Sequence, residues 1–255
     1  MNNIEIIDAN STNISEFGFC GYKNMKREGY RRKIDWLKQR FREGMKFKIL
    51  YSASEGAVGF IEYIPGEFAW RAIEASGYMV IHCILLMYHK YRGKGYGSML
   101  LEECLQDAEK EKMHGVAVVT SKGTWMTGNE LFLRNGFESV DQAPHSFELL
   151  VKKLENKPSP AFKGDWEKKL SKYSSGLTII HSNQCPYTID CVEAILETSH
   201  ELGINTNLIE LNNCGEVQNA PSAYGTFNLV YKGKLLAYHP ISKRGFLNIM
   251  SKELK

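Results

Sequence analysis

A glycine-rich loop directly after the most apolar segment of the chain could hold a phosphate. Residues 77–88, GYMVIHCILLMY, are nearly all apolar, as expected for a central strand buried on both faces. Arg92 follows, with glycines at 93, 95 and 97, and then an amphipathic helix. Glycines allow close backbone approach, and a helix N-terminus favours an anion. The spacing is neither the dinucleotide fingerprint nor a P-loop, so nucleotide hydrolysis is disfavoured.

Two side chains with acid–base chemistry lie inside the apolar segment. His82 and Cys83 are neighbours, and in a regular strand they point to opposite faces. Alternation favours Cys83 for the side that carries a site, unless a β-bulge shifts the register. A neutral imidazole has the better pKa for accepting a proton near pH 7. Both are candidate catalytic residues; the alternative is that His82 is a core histidine and Cys83 a small apolar filler.

The composition is that of an ordinary globular protein. Hydrophobic residues make up 43% of the 255 residues and charged residues 24%, which excludes disorder, collagen and a simple coiled coil. The net charge of +3 gives no reason to expect nucleic-acid or membrane binding. No run of 18 apolar residues and no secretory signal is visible, so a cytoplasmic protein is expected. Six cysteines are too few for a disulfide scaffold, and no Cys/His cluster has zinc spacing, so we expect no metal.

Hydrophobic periodicity predicts a mixed α/β first domain. Before the apolar strand we expect a strand at IEIID, helical material to about Gly44, and a hairpin that turns at Glu55 and Gly56. After the glycine loop, Leu100, Leu101, Cys104, Leu105 and Ala108 recur at helical spacing. The strand VAVVT, a helix around Gly128 to Arg134, and the strands GFESV and FELLVKK follow.

The periodicity fails between Leu154 and Thr178, where prolines, glycines, serines and lysines accumulate. This predicts a first domain at 1–154, a linker at 155–176 and a second domain at 177–255. Within the linker, DWEKKLSKY is compatible with one short helix capped by Asp165.

Written as R-x-x-G-x-G, with Arg92, Gly95 and Gly97 in the fixed places, the loop resembles the acyl-CoA-binding motif of the GNAT N-acetyltransferases. The long strand, the following helix, the strand VAVVT and LFLRNGF, which is similar to the family's Y-x-x-x-G-F element, come in the same order. The resemblance covers about residues 1–154. It implies a GNAT acyl-CoA N-acyltransferase fold with a mixed central sheet, and acetyl-CoA as co-substrate.

The resemblance also implies roles for particular residues. The backbone from Gly93 to Ser98 would hold the CoA pyrophosphate, and the strand at Leu85 and Met87 would bind the pantetheine arm. The expected cofactor-binding residues are Leu85, Leu86, Met87, Arg92, Gly93, Lys94, Gly95, Tyr96, Gly97, Ser98, Asn129 and Phe132. Phe132 stands where the family often has a tyrosine that acts as the general acid. A phenyl ring cannot donate a proton, so either another acid or water would protonate the leaving thiolate.

Two further segments are expected near the acceptor. Trp125 occupies the place of a frequent asparagine in the family and is expected to shape the substrate pocket. Trp70 and Arg71, in the loop PGEFAWRAIEAS, are candidates for a substrate lid, although the loop could be a plain insertion.

The second domain resembles the thioredoxin core in its order of β-α-β, proline, β-β-α. Ala220-Pro221 stands at the place of that fold's cis-proline loop, and Cys185 at the start of the first helix, where a helix dipole lowers a thiol pKa. We therefore include Cys185 among the catalytic candidates. The motif C-P-Y-T lacks a second cysteine two residues on, and Cys191 is six positions away, which favours a binding or structural module. The combination of domains is similar to the YoaP-type bacterial GNAT proteins.

Three functions stay open on the sequence. The first is transfer of an acetyl or short acyl group from acyl-CoA to a primary amine of a small molecule or peptide, by direct attack. The alternative is a thiol-dependent redox or thiol-binding protein whose first domain only binds CoA. A third possibility is an acyltransferase whose second domain recruits a peptide along a sheet edge. The sequence is compatible with a monomer or an oligomer.

Overall fold

A computed structural model describes residues 4–22 and 24–254. The chain forms two compact units. The first comprises residues up to 25, 34–69 and 73–162, and the second comprises 26–33, 70–72 and 163 onward. The predicted first domain thus falls in the first unit except for two short segments, and the predicted linker is divided at Phe162.

The first unit is built on a mixed seven-stranded sheet, as the sequence predicts. Its strands are β1 (Ile4–Ala9), β2 (Lys46–Ser52), β3 (Gly56–Pro65), β5 (Tyr78–Leu86), β6 (Gly115–Ser121), β7 (Glu138–Ala143) and β8 (Phe147–Lys153). The order in the sheet is β1-β2-β3-β5-β6-β8-β7, and only β5 and β6 are parallel neighbours. A small separate pair is formed by β4 (Ile73–Glu74) and β9 (Ala161–Phe162).

Three helices precede or connect these strands. They are α1 (Glu28–Arg40), α2 (Tyr96–Lys110) and α3 (Glu130–Arg134), and short 3₁₀ turns occur at Ile14–Glu16, Phe41–Glu43, Gly66–Phe68 and His89–Tyr91. Helix α2 buries the apolar stripe that its spacing predicts and packs on one face of the sheet. None of the helices in the described part of the chain has the length and apolar character needed to cross a bilayer.

The parallel strands β5 and β6 are paired only at one end. Residues 78–81 of β5 lie opposite residues 115–118 of β6, but β5 continues to Leu86 without β6 as its partner. A strand that loses its neighbour leaves a row of backbone N–H and C=O groups available. The sheet is therefore open along the second half of β5.

A β-bulge lies where this opening begins. Cys83 pairs with Glu62 and Ile81 pairs with Tyr63, so His82 is the extra residue. Residues directly opposite share a face of the sheet, and Glu62 faces away from the core because its neighbours Ile61 and Tyr63 lie in the core under α2. The register shift that the sequence leaves open is therefore present, and the bulge puts both His82 and Cys83 on the face of Glu62.

A cluster of charged side chains connects strands β1 and β2, at one edge of this sheet, to helix α2. Lys48 on β2 places its Nζ 2.5 Å from Asp8 Oδ1 and 3.1 Å from Asp107 Oδ2. The hydroxyl of Tyr63 donates to Asp107 at 2.7 Å. Lys48 and Asp107 are both buried, and burying a charge is costly unless an opposite charge lies next to it, so the two side chains stabilise each other.

The second unit contains a four-stranded sheet. Its strands β10 (Leu177–His181), β11 (Thr206–Glu210), β12 (Phe227–Tyr231) and β13 (Lys234–Ala237) are ordered β11-β10-β12-β13. Strand β11 is parallel to β10, whereas β12 and β13 are antiparallel to their neighbours. The helices are α4 (Trp166–Ser171), α5 (Thr188–Glu201), α6 (Cys214–Gln218) and α7 (Lys243–Glu253).

One local expectation for this unit is confirmed in part. The short helix expected in DWEKKLSKY is α4, but Asp165 does not cap it with its side chain. Asp165 has a left-handed backbone with φ of 59°, which is outside the usual N-cap conformation. The Ala220–Pro221 bond is trans, since the described chain contains no cis peptide.

Candidate functional site

A cleft of about 580 Å³ lies in the opening beside β5. Its walls come from the end of β5, the glycine-rich loop with the start of α2, and the segment around α3. The lining residues are Ile84, Leu85, Leu86, Arg92, Gly93, Gly95, Gly97, Ser98, Met126, Thr127, Leu131, Arg134 and Asn135. Seven of the twelve predicted cofactor-binding residues are in this set, so most of the expected strand and loop residues line one cavity.

The glycine loop has the conformation and the free space that an anion needs. Gly93 and Gly95 have φ of 72° and 83°, in the left-handed region that favours glycine. A Cβ added to either would meet no atom within 4 Å, so both face open space. Helix α2 begins at Tyr96, directly after Gly95, and its first N–H groups have no partner within the helix. Arg92 and Arg134 contribute positive charge to the same cavity.

The backbone groups that face the cleft belong to Ile84 and Leu86. The N–H of Met87 donates to Val58 O of β3 at 2.9 Å, and antiparallel bonds alternate along a strand, so Leu85 also faces β3. The Ile84 carbonyl accepts a hydrogen bond from Thr127 Oγ1 at 3.3 Å across the cleft. The backbone groups that were expected at Leu85 and Met87 are therefore supplied by Ile84 and Leu86, one position earlier in the chain. Met87 does not line the cavity.

Other predicted residues lie beside the cleft or away from it. Phe132 is fully buried in the core, with its ring centre 5.5 Å from that of Phe137, and it is not among the residues that line the cleft. Asn129 donates to Glu148 Oε2 at 2.8 Å and is not part of the lining. Lys94 and Trp125 are exposed, and Tyr96 is partly buried beside Tyr91.

Helix α3 supplies residues that sequence reasoning missed. Asn135 Nδ2 donates to Ser98 Oγ at 3.1 Å and to Leu131 O at 2.7 Å, which connects α3 to the start of α2. Arg134 adds the second guanidinium of the cleft. A sequence signal for these residues existed. Arg134 and Asn135 follow Phe132 by two and three positions, on the exposed side of the short helix before Gly136.

A carboxylate anchors the segment that leads into the glycine loop. Glu55, in the β2–β3 turn, accepts hydrogen bonds from Lys90 Nζ and, at 3.2 Å, from the Tyr91 hydroxyl. The hydrogen bond from Lys90 lowers the pKa of Glu55. Because Tyr91 is buried and directly precedes Arg92, these contacts position the loop.

We expect Glu55→Gln to weaken acetyl-CoA binding by about threefold, because an exposed contact of this kind contributes little. Calorimetric titration measures the change. Glu109→Gln, an exposed change on α2, is the control and should bind like the parent protein. A loss above about thirtyfold would show that Glu55 does more than position the loop.

The bulge brings a histidine and a carboxylate together inside the first unit. His82 Nδ1 lies 3.4 Å from Glu62 Oε1, and both side chains are at most 1% exposed. The ring of Trp36 is 6.4 Å from the imidazole, and Cys83 beside it is partly exposed. A carboxylate next to an imidazole fixes the tautomer and stabilises the imidazolium that forms on proton uptake. Glu62 could not be chosen from sequence, since its position depends on the β3–β5 register.

Trp70 and Arg71 are buried within the second unit. Arg71 Nη1 donates to Trp70 O and to Gln184 Oε1, both at 2.8 Å, and its guanidinium lies 5.2 Å from the Tyr224 ring. Their exposed fractions are 1% and 4%. Neither side chain belongs to the lining of the cleft beside β5.

The cysteines of the second unit differ in environment. Cys185 is partly exposed just before α5, and its carbonyl accepts the Thr188 N–H at 3.1 Å. Cys191 is buried, its Sγ accepts the Ile241 N–H at 3.2 Å, and burial raises the pKa of its thiol to about 11. A thiol with a raised pKa is a poor resolving cysteine, which disfavours dithiol chemistry at this pair.

Comparison with known proteins finds a family model and a curated relative that are similar to this chain. The model of the acetyltransferase (GNAT) family matches residues 15–137. The uncharacterised N-acetyltransferase YoaP of Bacillus subtilis (strain 168) is 28% identical over 250 residues, which span 96% of this chain and 98% of YoaP.

Solved acetyltransferases are more distant. A GNAT-family acetyltransferase from Staphylococcus aureus Mu50 is 16% identical, with a TM-score of 0.44, and the match covers 60% of this chain and all of that one. The PaiA N-acetyltransferase of Thermoplasma acidophilum, solved with coenzyme A, is 19% identical with a TM-score of 0.43 over 59% of this chain and 99% of its own. Residues 15–137, which the family model matches, hold the open strand, the glycine loop and α3, so this part of the chain is similar to the GNAT acetyltransferases, whose co-substrate is acetyl-CoA.

Proposed function

We propose that the protein transfers the acetyl group of acetyl-CoA to a primary amine of a small molecule or peptide. The observation that carries the proposal is the continuous opening along β5. It begins at the glycine loop and passes the backbone of Leu86 and Ile84, and Ile84 directly follows the bulge with His82 and Cys83. The loop suits the CoA pyrophosphate, and the free strand edge suits the amide groups of the pantetheine arm.

The bulge would supply the proton acceptor. An amine attacks a thioester only as the free base, so the reaction needs a group that takes its proton. We assign this role to His82, oriented by Glu62 at 3.4 Å, with Cys83 as the other candidate at the same bulge. The new C–N bond forms, the C–S bond breaks, His82 receives the amine proton, and the leaving thiolate takes a proton from water.

We also propose that the second unit is a thioredoxin-like module. Its sheet order, with one parallel and two antiparallel pairs, and the place of α5 between β10 and β11 support this assignment. The raised pKa of Cys191 favours a binding role for the unit over a redox role.

The function is tested by incubating the full chain with acetyl-CoA and single amines. The panel contains amino acids, polyamines, aminated sugars, and peptides with free N-termini or lysines. We expect release of the CoA thiol that depends on one class of amine, with an equal amount of acetylated amine detected by mass spectrometry. Thiol release without acetylated amine, at equal rates for all additives, would contradict the proposal.

A further inference from the structure

The second sheet ends in a strand whose outer side has no partner in the described part of the chain. Strand β11 is the first in the order β11-β10-β12-β13 and pairs with β10 alone. The N–H of Leu177 donates to Asn205 O at 3.0 Å, and a parallel ladder uses every second residue of a strand. The backbone groups of Thr206 and Leu208 therefore point away from β10. Such an edge is a template for another extended chain.

The side chains of this edge are accessible. Leu208 is 45% exposed, and Asn207 beside it is also exposed. Strand β11 lacks the proline, the lysine and the bulge that often protect an edge strand. Leu208 thus offers an apolar contact to a chain that pairs there.

A polar pocket lies at the end of the sheet where β11 begins. Its volume is about 210 Å³, and four exposed polar side chains line it, Lys172, Ser175, Asn205 and Asn207. In the described part of the chain, none of these four side chains forms a hydrogen bond or an ion pair. The described lining contains no acid, and the exposed Lys232 lies beside it, because its N–H donates to the carbonyl of Gly176 at 3.0 Å. An ammonium surrounded by amide and hydroxyl groups suits a carboxylate.

We propose that the outer edge of β11 binds the C-terminal end of an extended peptide or protein chain, with its terminal carboxylate in the pocket beside Lys172. The bound chain runs antiparallel to β11, pairs with the backbone of Leu208 and Thr206, and so ends where β11 begins. The opposite direction would bring a terminal ammonium next to Lys172, which repels it. The site belongs entirely to the second unit, so its binding does not depend on the proposed acetyl transfer.

The charges favour such a chain over a second copy of β11. The acid of this strand is Glu210, which accepts a hydrogen bond from Asn183 Nδ2 at 2.7 Å and lies 3.5 Å from Arg32 Nη1. Pairing of two copies would therefore bring no free carboxylate to the pocket.

The test is binding of the full chain to an array of random octapeptides with free C-terminal carboxylates. Every peptide is acetylated at its N-terminus and contains no lysine, so none can act as an amine acceptor. We expect a set of them to bind with dissociation constants on the order of 10 µM. The same peptides with a C-terminal carboxamide should bind about fivefold more weakly, because the amide carries no charge.

Two pairs of variants locate the binding. Lys172→Gln should weaken binding of the carboxylate peptides by about fivefold and leave the carboxamide peptides unchanged, whereas Lys168→Gln, at an exposed lysine outside the pocket, should bind like the parent protein. Leu208→Pro removes an outward N–H, which an edge strand tolerates, and should weaken binding by at least about tenfold. Leu208→Ala keeps that N–H and should lose only about threefold.

Three results overturn the proposal: no binding by any peptide, equal binding of carboxylate and carboxamide peptides, or a folded Leu208→Pro that binds like the parent protein. Sedimentation that shows a dimer of the parent protein and a monomer of Leu208→Pro also overturns it, because the edge then belongs to a second copy. If proline disturbs the fold, Lys172→Gln decides the question. The amine panel tests the transferase separately.

Discussion

Replacing His82 by glutamine is expected to lower kcat by about two to four orders of magnitude, the usual contribution of a general base. Glutamine is similar in size and can hydrogen-bond to Glu62, but it does not accept a proton near neutral pH. The KM for acetyl-CoA should change by less than about threefold, because the residues of the cleft are untouched. Steady-state kinetics with the best amine of the panel measures both constants.

Three further variants test whether this loss of kcat comes from the loss of the general base. Glu62→Gln removes the carboxylate that orients the ring and should lower kcat by about tenfold or more, again with little change in KM. His200→Ala, an exposed histidine on α5, should behave like the parent protein. If Cys83→Ala loses as much activity as expected of His82→Gln while His82→Gln stays active, the base is the thiol and our assignment is wrong.

Replacing Lys48 by methionine should lower the free energy of unfolding by about 3 kcal/mol, because it removes the buried cation from the carboxylate of Asp107, whose ion pair with the exposed Lys110 at 3.5 Å is weaker. Methionine fills similar volume, so the loss reports on charge more than on packing. Urea unfolding at pH 7 measures the change. Lys46→Met, on the same strand, breaks the more exposed pair with Glu111 and should cost less than about 1 kcal/mol.

The same cluster predicts how stability depends on pH. Burial alone would raise the pKa of Asp107, but the Tyr63 hydroxyl and the Lys48 ammonium outweigh it, so the pKa lies below its ordinary value. A carboxyl whose pKa is lower in the folded state stabilises the fold above its unfolded pKa, near 4, and this contribution is lost as the pH falls further. Lys48→Met should weaken this acid dependence; an unchanged profile would show that Asp107 is not coupled to Lys48.

Local patterns in the sequence predict most of the fold and the anion end of the site. The glycine loop, the apolar stripe of α2 and the order of strands depend on residues close together in the chain, so spacing alone reveals them. Arg92, Gly95 and Gly97 were chosen in this way, and they line the cleft.

The catalytic end depends on contacts between distant segments. The bulge at His82 exists only in the pairing of β3 with β5, and it moves Ile84 and Leu86 to the positions expected for Leu85 and Met87. Glu62 becomes a partner of His82 through the same register. The burial of Phe132 and Trp70 is decided by tertiary packing, which a motif alignment does not contain.

The most direct test of the account is calorimetric titration of the reduced full chain with acetyl-CoA. We predict one site per chain with a dissociation constant on the order of micromolar. Gly95→Trp should weaken binding by at least about 100-fold, because a side chain there occupies the space above the glycine loop. Gly203→Trp is the matched control, since Gly203 also has a left-handed backbone and open space but belongs to the second unit; it should bind normally. Equal affinity of the parent protein and Gly95→Trp, or no binding by the parent protein, would contradict the placement of acetyl-CoA in this cleft.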